Sequence, residues 1–157
     1  MTRALAGHRS VLEALRGQTT VRRVYVEADD RFPDIHNAAS RMGVRIETRN
    51  RAELDKLSEG ARHQGVVAVA DPYHFWDLDD LVTHAGHRSI LVALDEITDP
   101  QNLGAIIRSA VTLGTHGVII PKHRAAAITP AVVRASAGAT EHASIARVTN
   151  LQRSLLS

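Results

Sequence analysis

Residues 98–110 read Thr-Asp-Pro-Gln-Asn-Leu-Gly-Ala-Ile-Ile-Arg-Ser-Ala, a stretch that starts as a turn and continues as a helix. Asp99-Pro100 marks the turn, and Asn102 is a good N-cap. At 100° per residue, Leu103, Ile106, Ile107, Ala110 and Val111 form one apolar arc, with Gly104 and Arg108 together on the other side. A glycine inside a helix costs about 1 kcal/mol relative to alanine, so its presence one turn before an arginine calls for a reason. One reading is that Gly104 leaves a shallow opening over which Arg108 leans. The helix start would add free N–H groups and a partial positive charge, together suiting a phosphate. The other reading is a glycine packed against a neighbouring element beside a solvated arginine. The residues alone leave both open.

The elements needed to position these groups follow from periodicity. Segment 8–16 has one apolar helical face and stops at Gly17. Residues 21–28, 44–48 and 65–73 read as strands, and 34–43 and 51–60 as helices between them. Residues 74–88 form a linker containing a short helix. After it the alternation restarts. The nearly continuous apolar run 89–97 predicts a buried parallel strand. A helix over 102–114, a strand over 117–121, a helix over 129–142 capped by Thr129, a strand over 145–148 and a helix opening at Asn150 complete it. The expected class is α/β: a first domain over 1–73, the linker 74–88, and a second domain over 89–157 with a parallel sheet. A strand, a tight loop and a helix start at the carboxyl end of such a sheet is where these folds bind ligands. With three strands and a final helix whose Leu151, Leu155 and Leu156 have little to pack against, the second domain reads as incomplete.

Composition narrows the function classes. The 157 residues contain no cysteine, which excludes disulfides and thiolate metal sites. No apolar run approaches the roughly 18 residues of a membrane span, and the first residues lack a signal-peptide core. A cytoplasmic protein without a membrane partner is the expectation. The formal net charge is only +2, yet every basic residue except Lys56 and Lys122 is an arginine, the side chain suited to bidentate phosphate contact. Coding bias would produce the same preference. In the first domain Arg9, Arg22, Arg23, Arg45, Arg49 and Arg51 could track phosphates, although acidic residues nearly balance them. With few aromatics for base stacking, RNA shape and backbone are the expected features recognised. In the second, Lys122 and Arg124 follow a strand at the same sheet edge as Arg108, and Arg134 lies among small residues, 135–139. Contact with RNA and ordinary surface exposure are both compatible with these positions. Nine histidines include no convincing ligand framework, so no metal site is expected. His63-Gln64-Gly65 reads as a turn before a strand.

The segment 94–122, with Asn102, Gly104 and Arg108 in an Asn-x-Gly-x-x-x-Arg pattern, resembles the first signature of the SpoU-type ribose methyltransferases of the trefoil-knotted SPOUT superfamily. Residues 132–155 continue the likeness. Residues 7–73 resemble the small ribosomal-protein-like RNA-binding domain that precedes it in members acting on ribosomal RNA. The resemblance implies transfer of a methyl group from S-adenosylmethionine to a ribose 2′-hydroxyl of ribosomal RNA, 23S by the first domain. It makes Arg108 the catalytic arginine and gives Asn102 the active-site loop. Lys122, Arg134 and Arg9 are the further RNA-contact candidates. Because arginine keeps its proton, Arg108 is expected to clamp phosphate and stabilise the developing alkoxide. It also implies a homodimer whose contacts use the knotted part. The family's two later signatures, which form the knot and hold the cofactor, have no counterpart up to Ser157. The expectation is therefore a partial methyltransferase domain with the knot region absent, no cofactor-binding residue to name, and no cofactor binding or activity for the 157-residue chain alone. The alternatives are a non-enzymatic RNA-binding module, methylation of transfer RNA, and an unrelated domain holding a small phosphorylated ligand between Asn102 and Arg108.

Overall fold

A computed structural model describes residues 2–28 and 31–156. The chain divides into two compact units, residues 1–73 and 74–157.

The first unit holds strands β1 (Arg3–Ala6), β2 (Val21–Val26), β3 (Arg45–Thr48) and β4 (Val66–Ala70), with helices α1 (His8–Arg16), α2 (Pro33–Met42) and α3 (Arg51–Leu57). The sheet order is β1-β4-β2-β3. β2 and β3 are parallel, while β4 runs antiparallel to both β1 and β2. The carboxyl ends of β1, β2 and β3 therefore share one edge with the amino end of β4. β1 was not foreseen, because its four residues, Arg-Ala-Leu-Ala, include no β-branched or aromatic side chain and show no alternation a short window could register. Its place is decided by pairing: Leu5 faces Ala68 and Ala6 faces Val67 in register with the buried β4. Val11, Val24, Val26, Ile35, Leu54 and Val66 are fully buried. Asn50 caps α3 through a reciprocal capping box with Glu53, in which each side chain accepts from the other's backbone N–H.

The second unit holds β5 (Leu91–Ala93), β6 (Gly117–Pro121) and β7 (Ile145–Val148) in a parallel sheet of that order. Helices α4 (Leu78–Ala85), α5 (Pro100–Thr112), α6 (Pro130–Ala135) and α7 (Leu151–Leu156) surround it. Two corrections concern boundaries. The segment 74–88, expected as a linker, is part of this unit: Leu81 is fully buried with Ile119, Ala146 and Val148, and the Trp76 N–H donates to the Ile145 carbonyl. The helix expected over 129–142 ends at Ala135. Ala137 and Gly138 then take positive φ before a 3-10 turn at Ala139–Glu141. Leu151 packs on the Leu81 cluster, whereas Leu155 and Leu156 are exposed. Consecutive right-handed crossovers from β5 to β6 to β7 place α5 and α6 on one face, where they pack on each other.

In the first unit His8 Nε2 lies 2.7 Å from Asp34 Oδ2 at the start of α2, and the His8 ring stacks on Phe32. The hydrogen bond to His8, with help from the Ile35 N–H, holds the Asp34 carboxyl below the usual carboxylate range. A lowered carboxyl pKa adds stability above the unfolded value of about 4, and that stability is lost as pH falls through the folded value. Both side chains are more than a third exposed, so the pair contributes roughly 0.2–1 kcal/mol. We expect Asp34→Asn to lower the melting temperature slightly at pH 7 and to make no difference at pH 2. A thermal melt series from pH 7 to pH 2 reads this directly, and an equal deficit at both ends would contradict it.

Candidate functional site

The site begins with the cap of α5. Asp99, not Asn102, is the N-cap. Its carboxylate accepts from the backbone N–H groups of Gln101 (3.3 Å) and Asn102 (3.1 Å), and its carbonyl accepts from Leu103 N–H. Pro100 occupies the first helical position, where its missing N–H costs nothing. The physical reason for the correction is that an Asp before a Pro offers both a capping oxygen and the fixed φ of the first turn, so the helix starts two residues earlier. A consequence follows for anion binding. The amides read as free are engaged by a carboxylate, whose charge disfavours a phosphate at that position.

Gly104 answers the question its cost raised. It is buried, and a β-carbon there would lie 2.5 Å from Ala135 Cβ, 2.8 Å from the Ser136 nitrogen and 2.9 Å from the Ala135 carbonyl carbon. The glycine lets α5 touch the backbone of α6, so the expected opening beside Arg108 is filled by the neighbouring helix. Leu103, Ile107 and Ala110 complete the buried face. Arg108, one turn after Gly104, is exposed, and its guanidinium has no hydrogen-bond or ion-pair partner among the described residues. Arg134, adjacent in the chain to Ala135, is likewise exposed. The α5–α6 contact therefore anchors two exposed arginines on rigid helices. Asn102 is exposed, and its side-chain amide bonds to nothing among the described residues. The loops are held instead by other groups. The Ala126 N–H donates to the Ile97 carbonyl at 2.8 Å, and Arg124 pairs with Glu96 at 2.9 Å. Glu96 and Arg124 both adopt positive φ, 52° and 57°, a conformation with no sequence signature for such residues. Lys122 is exposed on the same loop.

In the first unit the phosphate-tracking face is only partly available. Arg22 pairs with Asp71, and Arg23 and Arg49 both pair with Glu47 at 2.8 and 2.6 Å. Arg49 also lies over Tyr25. Arg9, Arg45 and Arg51 are exposed without carboxylate partners among the described residues. His63 is buried. Its Nδ1 accepts from Gly65 N–H at 3.0 Å, so Nε2 carries the proton and donates to Asp55 at 2.9 Å. It fixes the turn before β4. Among the described residues there is no cluster of three or more His, Asp or Glu able to hold a metal ion, and no helix is long and apolar enough to cross a membrane.

A mixed four-stranded unit and a parallel unit with an exposed helical arginine make the chain one of α/β class, and comparison with known proteins gives the family. Residues 4–76 match the model for the RNA 2′-O ribose methyltransferase substrate-binding domain, and residues 89–156 match the SpoU rRNA methylase family. The chain belongs to the SpoU methylase family. A tRNA/rRNA methyltransferase of Synechocystis is 39% identical, covering 96% of this chain and 41% of the relative. One of Mycobacterium tuberculosis is 40% identical, covering 98% and 50%. The chain thus spans about half the length of the curated relatives it matches. The SpoU methyltransferase AviRb from Streptomyces viridochromogenes, solved in complex with AdoMet, is 27% identical with a TM-score of 0.71, covering 97% of this chain and 57% of that one. An AdoMet-bound rRNA methyltransferase from Sinorhizobium meliloti, 23% identical over 99% of this chain and 58% of that one, shares the fold with a TM-score of 0.75.

Alanine at position 104 would gain about 1 kcal/mol of helix propensity but would drive a methyl group into backbone. Overpacking of this kind costs typically 1–3 kcal/mol. Because the contacted atoms include Ser136 N and the Ala135 carbonyl carbon, relief requires moving a helix. The net is a loss of up to about 2 kcal/mol, and we expect Gly104→Ala to lower stability by that order in a denaturant titration. A stabilised variant would show that α5 and α6 are not held in contact.

Proposed function

We propose that the protein carrying this chain is an S-adenosylmethionine-dependent 2′-O-ribose methyltransferase of ribosomal RNA, 23S by preference. The observation that carries this reading is Arg108: an exposed guanidinium, without a partner among the described residues, on a helix whose start is capped by Asp99 and whose flank is locked by Gly104. The family matches and the AdoMet-bound neighbours support it.

The contribution of these residues is on the acceptor side. As the ribose 2′-hydroxyl gives up its proton, negative charge gathers on its oxygen. A guanidinium carried beside it on a rigid helix stabilises that charge. The same group can clamp an adjacent phosphate in bidentate geometry and align the oxygen for attack. Arginine holds its own proton tightly, so its role is electrostatic and the proton leaves by another acceptor. Asn102, exposed near the start of the same helix, and Lys122 at the neighbouring loop are the groups nearest in sequence and topology to assist in binding RNA, with Arg134 on α6. No described residue is assigned to the methyl donor. The one buried side-chain nitrogen or oxygen without a partner among the described residues is His36 Nε2, in the first unit. Among the described residues the second unit offers no buried orphaned polar group to receive the donor.

Ribosomal RNA is favoured over transfer RNA by the likeness of residues 89–156 to the SpoU rRNA methylase family. Assembly as a homodimer in the cytoplasm belongs to the same reading.

The test is transfer of labelled methyl by the natural gene product to 23S ribosomal RNA and to bulk transfer RNA, followed by nuclease digestion and identification of the methylated nucleoside. We expect 2′-O-methyl label in the ribosomal RNA. Label on a base, or on transfer RNA alone, would overturn the reading. In the same assay Arg108→Ala should reduce kcat by about 10²–10³, the usual loss for one preorganised charge-stabilising donor, with the melting temperature unchanged because the side chain is exposed.

A further inference from the structure

The edge of the first sheet that collects the ends of β1, β2 and β3 and the start of β4 also collects arginines from separate segments. Arg31 precedes α2, Arg51 opens α3, and Arg62 lies just before β4. These three, with Gln64, line a cleft of about 410 Å³. Two carboxylates share its wall, but both are engaged. Asp55 accepts from buried His63, and Glu27 faces Arg31 at 3.6 Å. Arg51 and Arg62 have no carboxylate partner among the described residues and are exposed. Asp29 and Asp30 adjoin Arg31 in sequence and lie outside the described residues.

The cleft is built by its backbone. Gly65 has φ +88°, and a β-carbon there would lie 3.2 Å from both Arg31 Nη1 and Glu27 Oε2 and 3.4 Å from Phe32 Cζ. Gln64 also has positive φ, 54°. The buried His63 ring locks this turn from behind by bonding Gly65 N–H and Asp55 together. The Glu27 N–H donates to the Gly65 carbonyl at 2.8 Å, tying the end of β2 to it. Arg31 is steadied over the Phe32 ring. By contrast, Arg22, Arg23 and Arg49 elsewhere on the sheet are already neutralised by Asp71 and Glu47.

We propose that this cleft is where the first unit grips its RNA, taking backbone phosphates between Arg51 and Arg62, with Arg31, paired to Glu27, on its wall and Gln64 offering an uncharged donor and acceptor to a neighbouring ribose hydroxyl or base edge. Planar guanidinium groups match phosphate oxygens two at a time. Their convergence from separate chain segments on a concave site suits a bent or irregular backbone better than a straight duplex. The proposal rests on the reading of the protein as an RNA methyltransferase.

The experiment measures binding of the full chain to in vitro transcribed 23S ribosomal RNA across a salt series. It compares the unaltered chain, Arg51→Ala/Arg62→Ala, and the control Arg16→Ala/Arg41→Ala. The control removes two exposed arginines from the opposite edge, at the ends of α1 and α2. We expect the cleft variant to bind about 10-fold more weakly at 0.1 M salt, with the slope of log K against log salt reduced by about 1.5–2, as for loss of two phosphate contacts. The control should stay within about 2-fold of the unaltered chain. Circular dichroism melts confirm that both variants fold. Equal losses in the two variants would overturn the cleft while leaving the RNA reading intact. Failure of the unaltered chain to bind RNA at all would overturn both.

Discussion

Where α5 meets α6 there is no room for a β-carbon, and much of the second unit follows from that contact. Atoms of α6 lie 2.5–2.9 Å from where the Gly104 β-carbon would be. Only hydrogen fits. Close packing of this kind makes the pair of helices a single rigid layer, since interiors at crystal-like density do not deform gradually. The backbone of Arg108 and of Arg134 inherits a fixed position from it, while both side chains stay exposed.

The cap of α5 extends the same logic to the loop before it. Asp99 occupies the helix start with its own carboxylate, which stiffens the turn and removes the helix terminus as an anion site. The loops after β5 and β6 are then tied by one backbone hydrogen bond and by the Glu96–Arg124 pair. That pair is largely exposed, so its contribution to stability is small. Its geometric effect is larger, because both residues hold left-handed backbone conformations that are seldom adopted without a surrounding constraint. In the first unit buried His63 does comparable work, joining Asp55 and Gly65 and so shaping the turn that leads into β4.

Much of this was legible in the residues. Helices α1, α2 and α5, strands β2, β6 and β7, and the caps at Thr129 and Asn150 follow from periodicity and capping chemistry, with shifts of a residue or two at their ends. The Asp99 cap was also readable, since Asp before Pro is a recognised helix start; the stronger pattern at Asn102 masked it. Other features had no local signal. β1 is defined by its partner across the sheet, and the end of α6 by the positive φ of Ala137. The membership of 74–88 in the second unit depends on Leu81 reaching the sheet, a contact between residues far apart in sequence.

The sequence by itself determined the α/β alternation, the arginine-rich character, and the Asn102, Gly104 and Arg108 pattern that resembles the SpoU signature. These are properties of residue type and spacing, and both periodicities and motifs are local. Tertiary structure decided what Gly104 is for, because whether a missing side chain opens a pocket or admits a neighbour depends on an element some 30 residues away, Pro130–Ala135. It also decided which arginines keep a free charge. Arg22, Arg23 and Arg49 looked equivalent to Arg51 in the chain, but pairing of β2, β3 and β4 set carboxylates beside the first three and left the last open to solvent. Charge availability is a property of distance between side chains, and only the folded arrangement sets those distances.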